Sequence, residues 1–135
     1  MVDTNVWSEL LKPVREARVV DWLARNSDEL LLSAIVLGEL RFFVAKQPEG
    51  KKKRAAGQIL TAIDASVGSR FADFDGRDAQ AYGDLMAAMR RAGTPLPVID
   101  GLIAAQAIAR THTVATRNVK DFARTGVKLI DPWQA

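Results

Sequence analysis

Short apolar runs alternate along this chain with longer segments in which apolar residues recur every three or four positions. The longer segments have the period of amphipathic helices, and the short runs have the length of buried strands. Strands are predicted over residues 1–2, 30–32, 71–74, 113–116 and 128–130. Helices are predicted over residues 14–25, 33–46, 51–66, 77–91 and 100–110.

The ends of these helices carry ordinary start and stop signals. Ser33 is a favoured N-cap residue, and Gly93 suits the left-handed conformation that often ends a helix. The helix over residues 100–110 is rich in alanine and largely apolar, so we expect it to be buried on most sides. Strands that alternate with helices form a parallel sheet covered by helices on both faces. The predicted fold class is therefore α/β, with one domain over residues 1–135.

Acidic residues recur where apolar runs give way to a helix or a turn. Asp3 follows the first predicted strand, Asp121 follows the fourth, and Glu39 lies within two turns of the start of the helix after the second. The carboxyl ends of parallel strands meet at one edge of the sheet, so these three connections each place an acidic residue at that edge. Ligands of open parallel sheets bind at the same edge. Asp100 opens the most apolar helix. Since neighbouring carboxylates raise each other's pKa values and a divalent cation removes that penalty, a Mg²⁺ or Mn²⁺ site acting on phosphate is predicted.

Each acid also has a simpler explanation. Asp3, Asp100 and Asp121 could cap a helix or a turn, because Asp is a favoured N-cap residue. For Asp100 the two roles are compatible, since the N-terminus of a helix keeps an anion ionised. Glu39 could lie on a solvated helix face, although the apolar residues on both sides of it argue against this.

The composition narrows the chemistry further. The chain has no cysteine and a single histidine, His112, which we expect on the surface at a helix end. Disulfides, zinc ribbons, thiol catalysis and histidine-rich metal sites are therefore excluded, which leaves oxygen ligands and hard cations. No stretch approaches 18 apolar residues and no export signal opens the chain, so neither a membrane span nor secretion is expected. The lack of cysteine suits a reducing cytoplasm.

The charge is unevenly distributed. The net charge is +3, and with the four acids set apart as −4 the rest of the chain carries +7. A basic surface around an acidic site suits a polyanion held by its backbone, although any one basic cluster could be only a solvated helix face. Basic residues cluster at 51–54, at 90–91 and at Arg110, Arg117, Lys120, Arg124 and Lys128. The tryptophans are expected in the core or at an interface rather than as base-stacking platforms: Trp7, Trp22 and Trp133.

Four sequence blocks in this order and spacing match a known family. They are DTNVWSEL, SAIVLGELRF, RRAGTPLPVIDGLIAAQAIA and TVATRNVKDFARTGVKLIDPW. Over essentially its whole length the chain resembles PIN-domain ribonucleases, specifically the VapC/FitB-type toxins of bacterial toxin–antitoxin modules. The resemblance implies a PIN fold, with a short parallel sheet between helices and an acidic metal site at its carboxyl edge. The family's first three acids correspond to Asp3, Glu39 and Asp100.

The fourth acid of the family is less directly matched. Many PIN domains have Asp at the position of Asn118, whereas this chain reads TRN and offers Asp121 three residues later, as the FitB-like branch does. The resemblance therefore assigns Asp121 as the fourth acid, with Asn118 as a supporting ligand. Thr116 and Asn5 are expected to orient the carboxylates and water.

The resemblance implies that the protein hydrolyses transfer RNA or ribosomal RNA with the help of a bound metal ion. Asp3, Asp100 and Asp121 would hold one or two Mg²⁺ or Mn²⁺ ions, and Glu39 would position a water or a second ion. It also implies an antitoxin whose arginine enters the acidic site, DNA binding only through the antitoxin complex, and no membrane association. A homodimer is expected through helices of the first half, with Phe42, Phe43 and Trp22 as candidates.

Two other functions are compatible with the same residues. One is a metal phosphohydrolase acting on a small molecule, although the chain lacks a glycine-rich phosphate loop. The other is a regulatory module that binds nucleic acid without cleaving it, although binding alone has no need for gathered carboxylates.

The first predicted strand is unusually short for the family. At ~3.3 Å per residue, two residues span about 7 Å, and the terminal ammonium is expected near the acidic cluster. Either the sequence begins late or Asp3 is held less firmly than in relatives.

Overall fold

Parallel chain segments form the centre of the molecule in the computed structural model, which describes all 135 residues. Strand β1 (Leu32–Ser33) pairs with β2 (Phe71–Ala72), and β3 (Val114–Ala115) pairs with β4 (Leu129–Ile130). Val2 lies between the two pairs. It forms a parallel bridge with Ala115, and its amide donates a hydrogen bond to the carbonyl of Leu31 at 3.2 Å. The five segments therefore run in the order β2, β1, Val2, β3 and β4.

Helices connect these segments along the chain. The α-helices are α1 (Thr4–Trp7), α2 (Ala17–Arg25), α3 (Ala34–Ala45), α4 (Lys51–Val67), α5 (Gly76–Arg91), α6 (Val98–Ala109) and α7 (Val119–Ala123). Two short 3₁₀ segments cover Ser8–Leu11 and Gly68–Arg70. None of the helices combines the length and the apolar character needed to cross a lipid bilayer. The prediction of an α/β fold with a short parallel sheet is confirmed.

The strands are shorter than predicted. Each paired strand contains two residues, and the predicted strand over residues 1–2 is reduced to the single bridge at Val2. The reason is that each segment runs directly into a helix or turn at its carboxyl end, as at Ser33, which is both the last residue of β1 and the N-cap of α3. The short α1 and α7 were not among the predicted helices.

Two helix starts also differ from the prediction. Helix α2 begins at Ala17 rather than at residue 14, because the amide of Glu16 is tied to the carboxylate of Glu9 at 2.8 Å in an extended conformation. Helix α6 begins at Val98 rather than at Asp100. Pro97 is its N-cap and needs no amide partner, so Asp100 lies within the first turn and does not cap the helix.

The apolar helix α6 lies in the core, as its composition predicted. Ile103, Ala104 and Ala105 on this helix are fully buried. Helix α5 packs closely against it at Gly101, where an added Cβ would lie 2.5 Å from the Sδ of Met86. The close approach of the two helices therefore depends on the missing side chain at the residue next to Asp100.

A salt bridge joins the N-terminal end of α5 to the C-terminal end of α6. The guanidinium of Arg110 donates to both carboxylate oxygens of the fully buried Asp78, at 3.2 and 2.9 Å, and to the carbonyl of Asp73 at 2.7 Å. The hydrogen bonds that Arg110 donates to Asp78 raise the pKa of Arg110 above its ordinary value. Arg110, which we had grouped with the basic surface, is therefore a structural residue that is not available to a ligand.

Gln106 links the two helices that carry Asp100 and Glu39. It is fully buried on α6, and its amide nitrogen donates to the carbonyls of Ala72 and Asp73 at 3.1 and 3.0 Å. Its amide oxygen accepts a hydrogen bond from the hydroxyl of Ser33 at 2.5 Å. The same hydroxyl accepts from the amide of Ile35 at 3.1 Å and so caps α3. Every polar atom of the Gln106 side chain thus has a partner.

We predict that Gln106→Met lowers the free energy of unfolding by about 2–4 kcal/mol, because it leaves the buried carbonyl of Ala72 and the hydroxyl of Ser33 without this partner, whereas the carbonyl of Asp73 keeps Arg110. Urea unfolding followed by tryptophan fluorescence measures the effect. Ser33→Ala should cost about 1 kcal/mol in the native background, as loss of an N-cap does. In the Gln106→Met background it should cost less, since the shared hydrogen bond is already gone. Additive costs would show that the two side chains are not coupled.

Candidate active site

Asp3 stands at the carboxyl end of the central segment and is almost completely buried, with 4% of its surface exposed. Its amide donates to the carbonyl of Ala115 at 2.9 Å. One carboxylate oxygen accepts from the amide of Thr4 at 2.7 Å. The other accepts from the hydroxyl of Thr116 at 2.7 Å and from the side-chain amide of Asn5 at 3.1 Å. Asp3 therefore caps α1, and three donors hold its carboxylate in place.

This arrangement corrects the expectation that a short first strand leaves Asp3 loosely held. The neighbouring side chains anchor the carboxylate, so the length of the strand does not decide its position. The terminal ammonium is also not beside the acids. It donates to the carbonyl of Thr113 at 2.7 Å, at the opposite end of the segment. Burial lowers the pKa of this ammonium to about 6.

Thr4 connects Asp3 to Glu39. The Thr4 hydroxyl donates to a carboxylate oxygen of Glu39 at 2.5 Å, while its amide donates to Asp3. Glu39 is half-buried on α3, so it is not a freely solvated side chain. Thr4 was not among the predicted site residues. The signal that could have identified it is its place directly after the first acid, where a helix begins.

Asp100 is the residue at which the acids meet. It is half-buried in the first turn of α6 and accepts no hydrogen bond from the protein. Burial raises its pKa to about 6, and the negative charges of Asp3, Asp121 and Glu39 add to this effect. The pKa of Asp3 is raised as well, by burial first and in part by the charge of Glu39, although hydrogen bonds oppose the shift. In the structure the charges of the other three predicted acids therefore act on Asp100.

Asn118 orients Asp121. The side-chain amide of Asn118 donates to a carboxylate oxygen of Asp121 at 3.1 Å, and its backbone amide donates to the hydroxyl of Thr116 at 2.9 Å. Asp121 lies in the first turn of α7 and Asn118 is the N-cap. The Thr116 hydroxyl also accepts weakly from Asn5 at 3.3 Å while donating to Asp3. Thr116 thus joins the segment that carries Asp121 to the one that carries Asp3.

The donors around the acids are all neutral. No lysine or arginine forms a salt bridge with Asp3, Glu39, Asp100 or Asp121. Only oxygen ligands are present, which suits a hard cation such as Mg²⁺ or Mn²⁺. In their present positions no three carboxylates are close enough together to hold an ion. The residues fit a divalent cation in charge and in the chemistry of their oxygen donors.

Two other predicted positions lie away from the acids. His112 follows the end of α6 and is half-buried. Its pKa is lowered by burial first and then by the terminal ammonium and Arg110, so it belongs to the opposite end of the sheet. Trp7 and Trp22 are buried in the core, whereas Trp133 is half-buried. Trp22 is therefore not available as a dimer contact.

The short parallel sheet with acids gathered at its carboxyl edge is the architecture expected of a PIN domain. Residues 1–128 match the family model described as PIN domain, and the chain belongs to this family. Within it, the VapC ribonuclease Y4jK of Sinorhizobium fredii is 38% identical, and the alignment covers 99% of this chain and 97% of that protein. The toxin FitB of Neisseria gonorrhoeae is 36% identical over 98% and 97% of the two chains. The predicted resemblance to VapC/FitB-type proteins is confirmed.

The solved structures agree with the sequence relatives. The chain in the crystal structure of FitAcB from Neisseria gonorrhoeae superposes with a TM-score of 0.92 at 36% identity, covering 99% of this chain and 98% of that one. A chain in the structure of VapBC2 from Rickettsia felis bound to a DNA fragment superposes with a TM-score of 0.79 at 29% identity, over 96% of each chain.

We predict that Asp100→Asn makes the metal-free protein more stable at pH 7.5. The pKa of Asp100 is about 6 in the folded state against an ordinary value of 3.8, so the folded state binds this proton more tightly than the unfolded state does. The ionised carboxylate therefore destabilises the fold above pH 6. The gain should be about 1–2 kcal/mol, after discounting for solvent screening, and should vanish below about pH 4.

Urea unfolding in EDTA at the two pH values measures this difference. Asp84→Asn is a matched control, because Asp84 is exposed and forms no salt bridge. An equal effect of both substitutions at pH 7.5 would show that Asp100 is not under strain from the other acids.

Proposed function

We propose that this protein is a divalent-metal-dependent endoribonuclease that acts as the toxin of a toxin–antitoxin pair. The observation that carries the proposal is the uncompensated cluster at Asp100, where burial and three neighbouring carboxylates together raise the pKa to about 6. The names of the relatives support the nuclease assignment, since one is a VapC ribonuclease and another is a toxin. Two more, at 26% and 29% identity, are named tRNA(fMet)-specific endonucleases. Transfer RNA or ribosomal RNA is therefore the proposed substrate class.

The proposed roles follow from how each acid is held. Asp3 is fixed by three neutral donors, and Asp100 and Asp121 have free carboxylate oxygens, so these three would hold the cation. A bound Mg²⁺ or Mn²⁺ would neutralise charge on the scissile phosphate and lower the pKa of an attacking water. Glu39 has one oxygen anchored by Thr4 and the other free to orient that water. Asn5, Thr116 and Asn118 hold the acids in position.

A small-molecule phosphohydrolase is less well supported. A cavity of about 570 Å³ is lined mainly by apolar residues from α2 and α4 and by none of the four acids. Small-molecule sites are concave and combine an apolar lining with a few polar groups that orient the ligand. The acids lie outside this cavity, at the carboxyl end of the sheet. A module that only binds nucleic acid has no need for neighbouring carboxylates that repel one another.

The proposed partner is a cognate antitoxin whose arginine enters the acidic site. Solved relatives include FitAB bound to an IR36 DNA fragment and VapBC2 bound to a DNA fragment from its promoter. For this chain we propose DNA binding only through the antitoxin complex. We also propose that the protein acts in the cytoplasm.

The proposed homodimer would form through α3. Phe42 is 67% exposed and Phe43 is 37% exposed on this helix. The ammonium of Lys46 lies 5.4 and 5.6 Å from the centroids of their rings. Two exposed aromatic rings on one helix are the type of apolar surface that a second copy would cover.

We predict that Asp100→Asn reduces RNA cleavage by roughly a hundredfold or more, which corresponds to about 2.7 kcal/mol of activation free energy. The reason is that the variant loses the carboxylate on which the charges of the other three acids act, while the fold is retained. Gel analysis of transfer RNA incubated with purified protein and Mg²⁺ measures the rate. Asp84→Asn should cleave at the wild-type rate. If Asp100→Asn cleaved as fast as the wild type, the site assignment would be wrong.

We also predict that Mn²⁺ or Mg²⁺ raises the melting temperature of the wild-type protein, because a bound cation relieves the repulsion between the acids. A cation at a hundredfold excess over its Kd stabilises a folded protein by about 2.7 kcal/mol. Differential scanning fluorimetry with and without EDTA measures the shift. The shift should be preserved in Asp84→Asn and largely lost in Asp100→Asn. An equal shift in all three proteins would place the cation elsewhere.

A further inference from the structure

An exposed arginine beside the acidic site has no partner for its charge. The guanidinium of Arg117 forms no salt bridge, and none of its nitrogens takes part in a side-chain hydrogen bond. It lies over the indole ring of Trp133, with its central carbon 5.0 Å from the ring centroid. Stacking on an aromatic face leaves the five N–H donors at the edge of the guanidinium free.

The backbone of Arg117 is fixed to the acidic site. Its amide donates to the side-chain oxygen of Asn5 at 3.2 Å, and Asn5 in turn donates to Asp3. The residues on either side, Thr116 and Asn118, contact Asp3 and Asp121. Of the three consecutive residues Thr116, Arg117 and Asn118, only Arg117 has a side chain that does not contact the acids.

The guanidinium of Arg117 forms neither a salt bridge nor a hydrogen bond with any of the four acids. Arg117 instead lies near Glu9, which is buried and already paired with Lys12 at 2.5 Å. Glu9 forms its salt bridge with Lys12 and none with Arg117, so the N–H donors of the Arg117 guanidinium remain available to a ligand.

The support under Arg117 is itself held in place. The amide of Trp133 donates to the carboxylate of Asp131 at 2.9 Å. Its carbonyl accepts from the guanidinium of Arg18 on α2 at 2.8 Å. Arg18 is exposed and forms no salt bridge, so it brings a second positive charge to the same turn. Two arginines therefore meet at one tryptophan, and the backbone of one of them, Arg117, adjoins the acidic site.

We infer that Arg117, supported by Trp133 and accompanied by Arg18, binds a backbone phosphate of the RNA strand next to the phosphate that is cleaved. A guanidinium presents a planar pair of donors that matches phosphate oxygens, and it stays charged at every physiological pH. The indole face is occupied by the guanidinium, so Trp133 supports the arginine and does not stack on a base. The inference rests on the proposed function, since it requires an RNA strand in the acidic site.

The test measures RNA binding separately from cleavage. A short fluorescein-labelled single-stranded RNA is titrated by fluorescence anisotropy at several KCl concentrations, with every variant made in the Asp100→Asn background. Arg117→Ala should weaken binding by roughly tenfold, and the slope of log Kd against log salt should fall by about 1. Arg117→Lys should keep the salt slope and lose part of the affinity, because it retains the charge without the planar donors or the stacking. Trp133→Leu should also weaken binding.

Arg25→Ala is the matched control, because Arg25 is exposed at the end of α2 and forms no salt bridge. It should leave both the affinity and the salt slope unchanged. Mn²⁺ binding, followed by the loss of the free-ion signal in electron paramagnetic resonance, should be the same for the otherwise wild-type Arg117→Ala protein and the wild type. An unchanged Kd and salt slope in Arg117→Ala would overturn the inference. So would an equal loss of affinity for poly-glutamate, which would indicate a docking point for an acidic protein.

Failure of the inference can be told apart from failure of the proposed function. If wild-type protein cleaves RNA and the otherwise wild-type Arg117→Ala protein does so with the same KM, the phosphate contact is refuted and the nuclease assignment stands. If wild-type protein binds RNA through Arg117 but cleaves none in Mg²⁺ or Mn²⁺, the contact stands and the nuclease assignment is refuted.

Discussion

Repulsion between buried carboxylates is the constraint to which the rest of this structure responds. Asp3 and Asp100 both have raised pKa values because burial and neighbouring negative charge act on them together. A protein can relieve such repulsion with lysine or arginine, but here the acids are surrounded by hydroxyl and amide donors only. The negative charge is therefore held in position without being cancelled, which is the state that a cation-binding site requires.

Hydrogen bonds from uncharged side chains position both the acidic residues and the helices that carry them. Thr4 joins Asp3 to Glu39, and Thr116 joins Asp3 to the segment that carries Asp121. Deeper in the core, Gln106 joins α6 to the N-cap of α3. The positive charges are kept apart from the acids, since Arg110 is used in a structural salt bridge and Arg117 stacks on Trp133. This separation allows a negatively charged strand to be held close to an acidic site.

The fold class and the four acids could be predicted because both leave periodic or positional signals. Strands alternate with helices, and acids follow where strands end, so their convergence depends only on the direction of a parallel sheet. The firm anchoring of Asp3 could not be predicted, because Thr116 lies more than a hundred residues away and the two meet only in the folded chain. For the same reason the salt bridge of Arg110 was missed, and the sequence left Trp22 open between the core and an interface.

By itself, the sequence determined the alternation of strands and helices, the lack of cysteine and of all but one histidine, and the acids that follow the strands. These properties depend on local periodicity and on residue type, which are present before folding. The tertiary structure decided which of these residues have a shifted pKa, which are held by hydrogen bonds and which have no partner. The pKa of Asp100 is raised because folding buries its carboxylate and brings three distant acids near it, and Arg117 keeps its donors free because Glu9 forms its salt bridge with Lys12. Such properties arise from distances between remote segments, and no local pattern encodes them.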